Sequence, residues 1–558
     1  HALYDSERGV TKELKSQTSG AESTENRISS FNSSGFTLTG NTETNYSGDK
    51  YVSWTFRKAP KFFDVVTWTG DGSAGPFTLS HNLGSSVGMS VVKLRSDAGN
   101  WITNHRSIPT QYLTLDTTDP AQTDVTMTST DSTITFNGSN VYYNFSGRTY
   151  VAYLFADNSA EDAEEQMIKC GSFTTNSSGG ATVNLGWQPQ FLIFKIASGT
   201  ADGWYMFDTM RDFTASTSSA LFANTSAAEA SSNGNTKVTS NGFDISNQQN
   251  SVTYIYMAVR APMMVEPEAA TDVFAVDNVT TSTPKAISNF PIDFSLTTSG
   301  THYTVSRLMG TNVMATNSTG AQFDWGGGNP SLDYMDGFSM SADMNGYLTH
   351  MWKRAKGFFD VVAYTGDGVS GRTVAHSLGV APEMIWVKNR NAATSWYVYN
   401  VVIGNTKALL LNEVNATLTD STWNNTTPTE SLFTTGQGTE VNDTNKSYIA
   451  YLFATLAGIS KVGSYTGNGS YQTINCGFAA GSRFILIKRT DATGDWYYWD
   501  SVRGIVAGND PHLSLNTNAA QVTTDDSVDP DNSGFIVNQN SATGINATSA
   551  SYIFYAIA

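Results

Sequence analysis

Residues 358–368 read Phe-Phe-Asp-Val-Val-Ala-Tyr-Thr-Gly-Asp-Gly, and residues 62–72 repeat them almost unchanged as Phe-Phe-Asp-Val-Val-Thr-Trp-Thr-Gly-Asp-Gly. A looser copy lies at residues 461–469, and a weaker one at residues 169–174. β-Branched and aromatic residues favour an extended strand, and the Asp-Gly or Asn-Gly pair that follows favours a left-handed turn. Each copy therefore predicts a strand that runs into a hairpin turn, and the chain is a tandem repeat.

Further patterns recur around these copies, including apolar runs that end in lysine, such as residues 484–488, and aromatic closing runs, such as residues 552–558. They divide the chain into six units, which are residues 1–60, 61–157, 165–262, 268–355, 356–457 and 458–558. The first unit resembles the fourth, the second resembles the fifth and the third resembles the sixth. Residues 1–60 match only the second half of a unit, so we expect this unit to be incomplete and the protein to extend upstream of His1.

Each complete unit has roughly a hundred residues and about seven short strand patterns separated by turn signals, as is typical of a β-sandwich. Continuous apolar runs, such as residues 484–487, predict central strands that are buried on both faces. No helical periodicity is sustained. The sequence therefore predicts an all-β protein, a tandem array of about six jelly-roll or immunoglobulin-like sandwiches, and it leaves the strand order open.

The composition excludes several classes of protein. The chain has 558 residues, too many for one hydrophobic core, and only 15% of them are charged. Lys and Arg total 32 against 49 Asp and Glu, a net charge of −17, which argues against binding to nucleic acid. No apolar run is long enough to cross a membrane as a helix. Cys170 and Cys476 lie in different units without disulfide or zinc spacing, which predicts two buried free thiols.

An aspartate recurs three residues before an arginine, just after an aromatic strand. The pairs are Asp5 and Arg8, Asp208 and Arg211, and Asp500 and Arg503. Two interpretations are open. The aspartate is a catalytic acid and the arginine a substrate clamp, or the two form a structural ion pair that braces the loop. Three copies in one chain favour the brace, because an active site rarely recurs in this way. The fourth unit has Ser306 before Arg307 and no aspartate at that place, which a brace tolerates.

Tryptophans occupy equivalent points of four units, after the apolar strand and a polar turn. These residues are Trp101, Trp204, Trp396 and Trp496. Their repetition predicts core positions with a polar indole N–H, although exposed tryptophans could instead stack on sugar rings. Trp325 and Trp423 fall outside the repeated pattern, in Gly- or Asn-rich surroundings, and are the weak candidates for contact with a surface ligand.

The remaining motifs predict neither a metal site nor a cofactor. His81 and His376 occupy matching turns, and without further His, Cys or carboxylate ligands nearby we expect hydrogen-bonded turn histidines. The Thr-Gly-Asp-Gly turns lack the spaced carboxylates of a calcium loop. No phosphate loop, nucleophile elbow or metalloprotease helix motif occurs. The sequence assigns no catalytic residue, and we expect a protein that is not an enzyme.

Four stretches together resemble a known family. They are residues 358–368, residues 376–388 (His-Ser-Leu-Gly-Val-Ala-Pro-Glu-Met-Ile-Trp-Val-Lys), residues 448–454 (Tyr-Ile-Ala-Tyr-Leu-Phe-Ala) and residues 224–229 (Asn-Thr-Ser-Ala-Ala-Glu). The chain is similar to an uncharacterised tandem domain of large virion proteins in marine tailed bacteriophages, including cyanophages and pelagiphages. The resemblance is weakest over residues 263–330. It implies a structural protein of the virion, most often of the tail or its fibres, and it supplies no catalytic residues.

These patterns lead us to expect a tail fibre, spike or similar appendage whose modules dock end to end as a rod and contribute to host attachment. Other virion proteins, a host surface glycan and further copies in a trimer are the expected partners, the trimer by analogy with fibres alone. The alternatives are a capsid decoration fibre, a bacterial surface adhesin, and a depolymerase or lyase for surface polysaccharide. Such an enzyme would use residues 321–338, with Asp324, Trp325, Asp333 and Asp336.

Overall fold

The structure is a computed structural model that describes residues 1–33, 35–40, 43–47, 49, 51–138, 140–159, 161, 165–211, 213–214, 218–230, 235–262, 264–281, 285–298, 300–325, 330–332, 334–340, 345–538 and 542–558. The predicted all-β fold is confirmed. Among these residues the helical elements are α1 (Asn140–Tyr143) and two 3₁₀ turns (Ala270–Asp272 and Arg307–Met309). All other elements are short strands in small antiparallel sheets.

The strands are grouped by the six predicted residue ranges, which we call modules 1 to 6. Module 1 contains β1 (Ala2–Leu3), β2 (Lys12–Lys15), β3 (Ser23–Thr24), β4 (Ile28–Asn32) and β5 (Gly35–Leu38). Module 2 contains β6 (Phe63–Thr69), β7 (Phe77–Ser80), β8 (Val87–Leu94), β9 (Ile102–His105), β10 (Leu113–Thr114), β11 (Thr126–Ser129), β12 (Thr133–Asn137) and β13 (Thr149–Ala156). Module 3 contains β14 (Ile168–Thr174), β15 (Ala181–Asn184), β16 (Pro189–Ile196), β17 (Trp204–Asp208), β18 (Leu221–Phe222), β19 (Thr236–Thr239), β20 (Gly242–Ile245) and β21 (Thr253–Arg260).

The second half of the chain repeats this series. Module 4 contains β22 (Phe274–Asn278), β23 (Ala286–Ile287), β24 (Phe294–Thr298), β25 (His302–Ser306), β26 (Asn312–Ala315), β27 (Phe323–Asp324), β28 (Gly337–Phe338) and β29 (Leu348–Trp352). Module 5 contains β30 (Phe359–Thr365), β31 (Arg372–Ala375), β32 (Met384–Asn389), β33 (Tyr397–Asn400), β34 (Lys407–Leu410), β35 (Leu418–Thr419), β36 (Leu432–Thr435) and β37 (Ser447–Phe453). Module 6 contains β38 (Ser460–Thr466), β39 (Gln472–Asn475), β40 (Phe484–Arg489), β41 (Trp496–Asp500), β42 (Leu513–Ser514), β43 (Val528–Asp531), β44 (Gly534–Val537) and β45 (Ser551–Ile557).

Modules 2 to 6 share one topology, which settles the strand order that the sequence left open. The large sheet of module 6 has the order β38-β45-β40-β41-β42, and modules 2 to 5 have the same order in their own strands, with one further strand in modules 4 and 5. The last strand of each module thus inserts between its first and third strands. A small sheet, β39-β44-β43 in module 6, covers one face of the large sheet.

Each sandwich core lies between the two sheets. In module 6, Ile474 of the small sheet packs with Ile485 and Ile487 of the large sheet and with Phe535. Phe484 of the same strand β40 is also buried, although it points to the opposite face. The central strands are therefore buried on both faces, as their continuous apolar sequences predicted.

The Gly-Asp-Gly turn does not form a hairpin, so that prediction was wrong. Strand β6 belongs to the large sheet of module 2 and β7 to its small sheet, so the turn carries the chain from one sheet to the other. Gly72 takes a φ of 76°, a conformation that favours glycine. Asp71 Oδ1 accepts hydrogen bonds from the Ser73 amide at 2.7 Å and from Asn144 Nδ2 at 2.7 Å. Asn144, which is distant in the sequence, therefore helps to fix the turn in which the chain passes from the large sheet to the small sheet.

The aspartate of the repeated Phe-Phe-Asp-Val-Val stretch is a buried anchor for its module. Asp360 is fully buried. Its Oδ1 accepts a hydrogen bond from Arg354 Nε at 2.6 Å, and its Oδ2 accepts one from the Ser377 amide at 2.7 Å. Asp64 accepts the equivalent bond from the Asn82 amide at 2.8 Å. This buried aspartate therefore ties its strand to the turn that follows His81 in module 2 and His376 in module 5, and these bonds compensate for the burial of its charge.

The chain forms two compact units. Unit 1 comprises His1–Asp208, Ser218–Thr236 and Gly242–Ala261, and unit 2 comprises Thr209–Thr217, Lys237–Asn241 and Pro262–Ala558.

Within each unit the three modules pack in a closed ring. In unit 2, ring centroids lie 4.4 Å apart for Phe294 and Tyr451 (modules 4 and 5), 5.0 Å apart for Phe453 and Tyr555 (modules 5 and 6) and 5.7 Å apart for Phe484 and Phe274 (modules 6 and 4). In unit 1, Phe56 of module 1 lies 5.5 Å from Phe155 of module 2 and 6.0 Å from Phe191 of module 3. The expectation of modules docked end to end is therefore wrong within each unit, because the first and third modules also touch.

Candidate functional site

Four buried tryptophans join consecutive modules. Trp101, Trp204, Trp396 and Trp496 are at most 1% exposed, so the predicted core positions are confirmed. Their indole N–H groups donate to backbone carbonyls of the preceding module, from Trp101 to Lys15 and Thr18 (both 3.1 Å), from Trp204 to Thr114 (2.9 Å), from Trp396 to Ala315 (3.0 Å) and from Trp496 to Leu410 (2.9 Å). The polar end of each indole thus finds its partner in the neighbouring module.

A buried lysine completes each junction. The four lysines are the next-to-last residues of the third strand of their modules. Their Nζ atoms donate to carbonyls of the preceding module, from Lys93 to Ser19 (3.0 Å), from Lys195 to Thr118 (2.7 Å), from Lys388 to Thr319 (3.1 Å) and from Lys488 to Val414 (3.0 Å). Burial lowers the pKa of each lysine to about 8. We call this tryptophan–lysine pair, with the carbonyls it binds, the seam.

The seam was missed by sequence reasoning, although a signal for it was present. Each apolar run of a central strand ends in lysine, and the tryptophan follows after a polar turn. A charged residue at the end of a strand that is otherwise buried on both faces needs a cage of acceptors. The recurrence of that lysine before the tryptophan in four modules therefore marked a contact between modules.

Each ring is closed by a hydroxyl group from its first module. Ser16 Oγ donates to the Ala223 carbonyl of module 3 at 2.7 Å in unit 1. Thr316 Oγ1 donates to the Leu515 carbonyl of module 6 at 2.8 Å in unit 2. Both acceptors directly follow the fifth strand of the third module in their unit, so the two rings close in the same way.

The Asp5 and Arg8 pair lies at the junction of modules 1 and 2. Arg8 Nε lies 2.5 Å from Asp5 Oδ2, and both residues are 8% exposed. Tyr153 OH of module 2 donates to Asp5 Oδ2 at 2.8 Å and accepts from Arg8 NH2 at 3.0 Å. The Arg8 amide donates to Asp5 Oδ1 at 2.9 Å, so both carboxylate oxygens are occupied, which suits a brace better than a catalytic acid. The role as a brace stays a prediction.

Asp500 and Arg503 form the corresponding pair in unit 2. Arg503 Nε lies 2.5 Å from Asp500 Oδ2, which also lies 3.1 Å from His350 Nε2 of module 4. The backbone amides of Val502 and Arg503 donate to Asp500 Oδ1 at 3.0 and 2.9 Å. Burial alone would raise the pKa of Asp500, but the hydrogen bond from His350 and the charge of Arg503 hold it well below its ordinary value. This carboxylate therefore stays ionised and fully bonded, so it has no proton to donate.

Asp208 of the third pair contacts another module. Asp208 ends β17, is 5% exposed and accepts a hydrogen bond at 3.0 Å from the indole Nε1 of Trp54 in module 1. Arg211 lies in the turn that follows and is half-buried. This aspartate thus bonds an indole of another module, and the brace predicted for the pair remains a prediction.

The two weak ligand candidates have different outcomes. Trp423 is 1% exposed and packs edge-on against Tyr399 at 5.7 Å, so its predicted surface contact is wrong. Asn424 and Asn425 take φ values of 50° and 51°, a tight turn that bends the chain directly after the tryptophan, whose indole lies in the core of module 5. Trp325 is half-buried against Tyr303 at 4.4 Å, and its surface contact stays a prediction.

The described acidic residues of the depolymerase segment lie at the surface. Asp324 and Asp336 are exposed, and Asp333 lies outside the described residues. A cavity of about 340 Å³ in unit 2 is lined by residues of modules 4 and 6, among them Thr298, Tyr347 and Arg503, and by neither Asp324 nor Asp336. The enzyme alternative remains untested.

The two matching histidines make hydrogen bonds in their turns, as predicted. His81 Nδ1 accepts from the Leu83 amide, and His376 Nδ1 accepts from the Leu378 amide, both at 3.3 Å. The predicted buried free thiols are also confirmed. Among the residues that the structure describes, no group of three or more His, Cys, Asp or Glu side chains could hold a metal ion. No helix in those described ranges has the length and apolarity to cross a membrane.

Two further buried histidines are expected to make the protein less stable in acid. Burial lowers the pKa of His105 in unit 1 and of His302 in unit 2 to about 4 each. Between pH 6.5 and 4 the unfolded chain therefore binds more protons than the native protein, and the free energy of unfolding falls as the pH falls, by up to about 3 kcal/mol per histidine. Urea unfolding at pH 7 and pH 4.5 measures this loss.

A matched variant isolates the contribution of His105. Its Nε2 lies 3.1 Å from the Tyr256 carbonyl, and the side-chain amide of a His105→Gln variant can donate to the same oxygen. We expect this variant to lose less stability than the parent between pH 7 and pH 4.5. Equal losses in parent and variant would contradict the assignment.

Modules 2 to 6 are sandwiches of one topology, and within each unit the modules are joined by the seams and by the contact that closes the ring, which defines a tandem β-domain protein. The chain belongs to a family defined by a domain of unknown function, DUF7483, whose model matches residues 1–261 and 296–558. The first matched range ends where unit 1 ends, and the second lies within unit 2. Each matched range covers all or most of three consecutive modules. No curated protein matches the chain.

Proposed function

We propose that this protein is a structural protein of a tailed-bacteriophage particle, carried on the tail or another surface appendage, where it contributes to host attachment. The resemblance of residues 358–368 and of the other quoted stretches to phage virion proteins supports this origin. The observation that carries the structural role is the seam, which recurs four times with the same residue types and acceptors.

The physical argument concerns what the seams achieve. Each seam buries an indole and an ammonium group against carbonyls of a neighbouring module. If the two modules were packed in a different orientation, several of these buried polar groups would lose their hydrogen bonds. Such junctions hold sandwiches in a fixed arrangement and suit a protein that must resist unfolding outside a cell. Weak contacts between the exposed loops and host glycans would gain strength when several copies engage together.

Immunogold electron microscopy tests the location. An antibody raised against residues 1–558 is applied to intact and detergent-disrupted particles, with pre-immune serum as the control. We expect gold on the tail or its fibres. Gold confined to the capsid would make the protein a decoration fibre, and label absent from both intact and disrupted particles would refute the virion assignment.

An activity assay separates the proposal from the polysaccharide depolymerase. The purified protein is incubated with host exopolysaccharide, and reducing ends are measured over time against heat-denatured protein. We expect no release above the control. Steady release that disappears in an Asp324→Asn/Asp336→Asn variant would replace the proposed function by the enzyme.

A further inference from the structure

Charged groups are balanced at the junction of modules 1 and 2. Glu22 of module 1 accepts hydrogen bonds from Arg95 of module 2, from Nε at 2.9 Å and from Nη2 at 3.1 Å. The same carboxylate accepts a third hydrogen bond from Arg8 Nη1 at 3.1 Å. Asp5 provides a second carboxylate, which is paired with Arg8. Two arginines are therefore matched by two carboxylates in unit 1.

The corresponding junction of modules 4 and 5 has an amide in place of the first carboxylate. Arg390 matches Arg95, because both follow a seam lysine by two residues. Gln322 matches Glu22, because each donates its backbone amide to the carbonyl of the matching arginine, at 3.0 and 2.9 Å. The position that carries a negative charge in unit 1 is thus uncharged in unit 2.

The other two charged residues of unit 1 also have uncharged counterparts. Strand β25 pairs with β26 in the register in which β1 pairs with β2, which places Ser306 at the position of Asp5 and Met309 at that of Arg8. The Tyr451 hydroxyl donates to Met309 Sδ at 3.6 Å, and the matching tyrosine of module 2 contacts Arg8 in the same way. One arginine of the unit 1 network therefore remains in unit 2, and its carboxylates do not.

Arg390 is consequently a buried cation without a counter-ion. It is fully buried, and its Nε donates to Gln322 Oε1 at 2.7 Å. In the part of the chain that the structure describes, its Nη1 and Nη2 atoms have no hydrogen-bond partner. Burial lowers the pKa of Arg390 to about 10, so the side chain stays charged at neutral pH. A buried charge without a partner of opposite sign opposes folding.

Lys388 adds a second buried cation to this junction. Its Nζ donates to three backbone carbonyls and to the Thr394 hydroxyl, all of which are neutral. Among the described residues no carboxylate opposes the lowering of its pKa by burial. At the other three seams an aspartate does so, namely Asp116 at Lys93, Asp202 at Lys195 and Asp495 at Lys488.

We infer that the junction of modules 4 and 5 is a weak junction at which unit 2 opens first. Water reaches Arg390 and Lys388 when the two modules separate, and hydration of both charges offsets part of the free energy lost on opening. The bonds from the Trp396 indole and from Lys388 to carbonyls of module 4 hold the junction closed. Unit 2 thus has a built-in opening point, whereas carboxylates stabilise the matching junction of unit 1.

Hydrogen–deuterium exchange of a Gln322→Glu variant tests this inference. Glutamate places a carboxylate at the position that Glu22 has in unit 1, beside the unpaired nitrogen atoms of Arg390. We expect exchange in β26 and β33, which flank the junction, to be at least tenfold slower than in the parent, and exchange in β34 and β41 to be unchanged. A Gln521→Glu variant is the control, because it adds the same charge at an exposed position of module 6.

Two further variants separate the charge from other effects. Gln322→Leu/Arg390→Met removes the charge together with its amide partner, and we expect the same slowing at β26 and β33. Glu22→Gln in unit 1 should speed exchange in β2 and β9 at least tenfold. Unchanged or faster exchange at β26 and β33 in both unit 2 variants would overturn the inference. Exchange in the parent that slows when chloride replaces gluconate at constant ionic strength would also overturn it, since a bound anion would then balance Arg390.

Discussion

Replacing Trp396 by alanine is expected to destabilise unit 2 by about 3–5 kcal/mol for the lost core side chain, and by a further 1–3 kcal/mol for an unpaired carbonyl. Trp396 is fully buried, and its indole is bonded to the Ala315 carbonyl of module 4. The alanine variant therefore opens a cavity at the junction of modules 4 and 5 and leaves an acceptor in module 4 without its donor. Two modules should respond to one substitution.

Hydrogen–deuterium exchange with urea unfolding measures this effect. We expect faster exchange in β26 of module 4 as well as in β33 of module 5, and unchanged exchange in unit 1. A Trp396→Phe variant keeps most of the apolar volume and should lose only about 1–3 kcal/mol. The half-buried Trp325 serves as a control, because Trp325→Ala should cost far less. Faster exchange confined to module 5 would contradict the seam.

Replacing Asp500 by alanine is expected to cost about 3–5 kcal/mol, because it leaves buried cationic and polar donors without their acceptor. The side chain of Arg503 is 7% exposed and that of His350 is fully buried, so neither gains water when the carboxylate is removed. The two amides that donate to Asp500 Oδ1 lose their acceptor as well.

A double variant tests whether the pair acts as one unit. Asp500→Leu/Arg503→Met replaces both charges by apolar side chains of similar size, and we expect it to lose less stability than Asp500→Ala alone. Asp500→Asn, which keeps an oxygen for the two amides, should also lose less. The single variants Asp500→Leu and Arg503→Met are measured alongside. If the double variant loses as much free energy of unfolding as the two single variants lose together, the two residues are not coupled.

Much of the fold could be predicted from local sequence. The central position of a strand in its sheet follows from runs such as residues 484–487, because a strand that is buried on both faces needs apolar residues at every position. Module number follows from several recurring patterns together, which are the apolar runs that end in lysine, the aromatic closing runs and the Phe-Phe-Asp-Val-Val stretch. The hairpin after this stretch was wrong, because a glycine with positive φ fixes a turn but not the sheet that the chain joins next.

The candidate site was harder to predict because its partners are distant in sequence. The burial of Trp496 could be predicted from its repeated position, but its acceptor, the Leu410 carbonyl, is a backbone atom with no sequence signature. The surface position expected for Trp423 was wrong, because Asn-rich sequence signals a turn and not the side of the turn to which an indole points. Closed rings could not be predicted either, because a repeat pattern is the same for a rod and for a ring.

The central claim is that each unit is a ring of three sandwiches and not a linear array. Ser16 Oγ lies 2.7 Å from the Ala223 carbonyl oxygen, so modules 1 and 3 are in contact at this point. A disulfide needs α-carbons about 4.4–6.8 Å apart, which only a close contact between modules 1 and 3 allows. We expect a Ser16→Cys/Ala223→Cys variant to form an intramolecular disulfide in most chains under mild oxidation, with each single variant as a control. Failure to form this bond in a folded protein would contradict the ring, because a linear array keeps modules 1 and 3 apart.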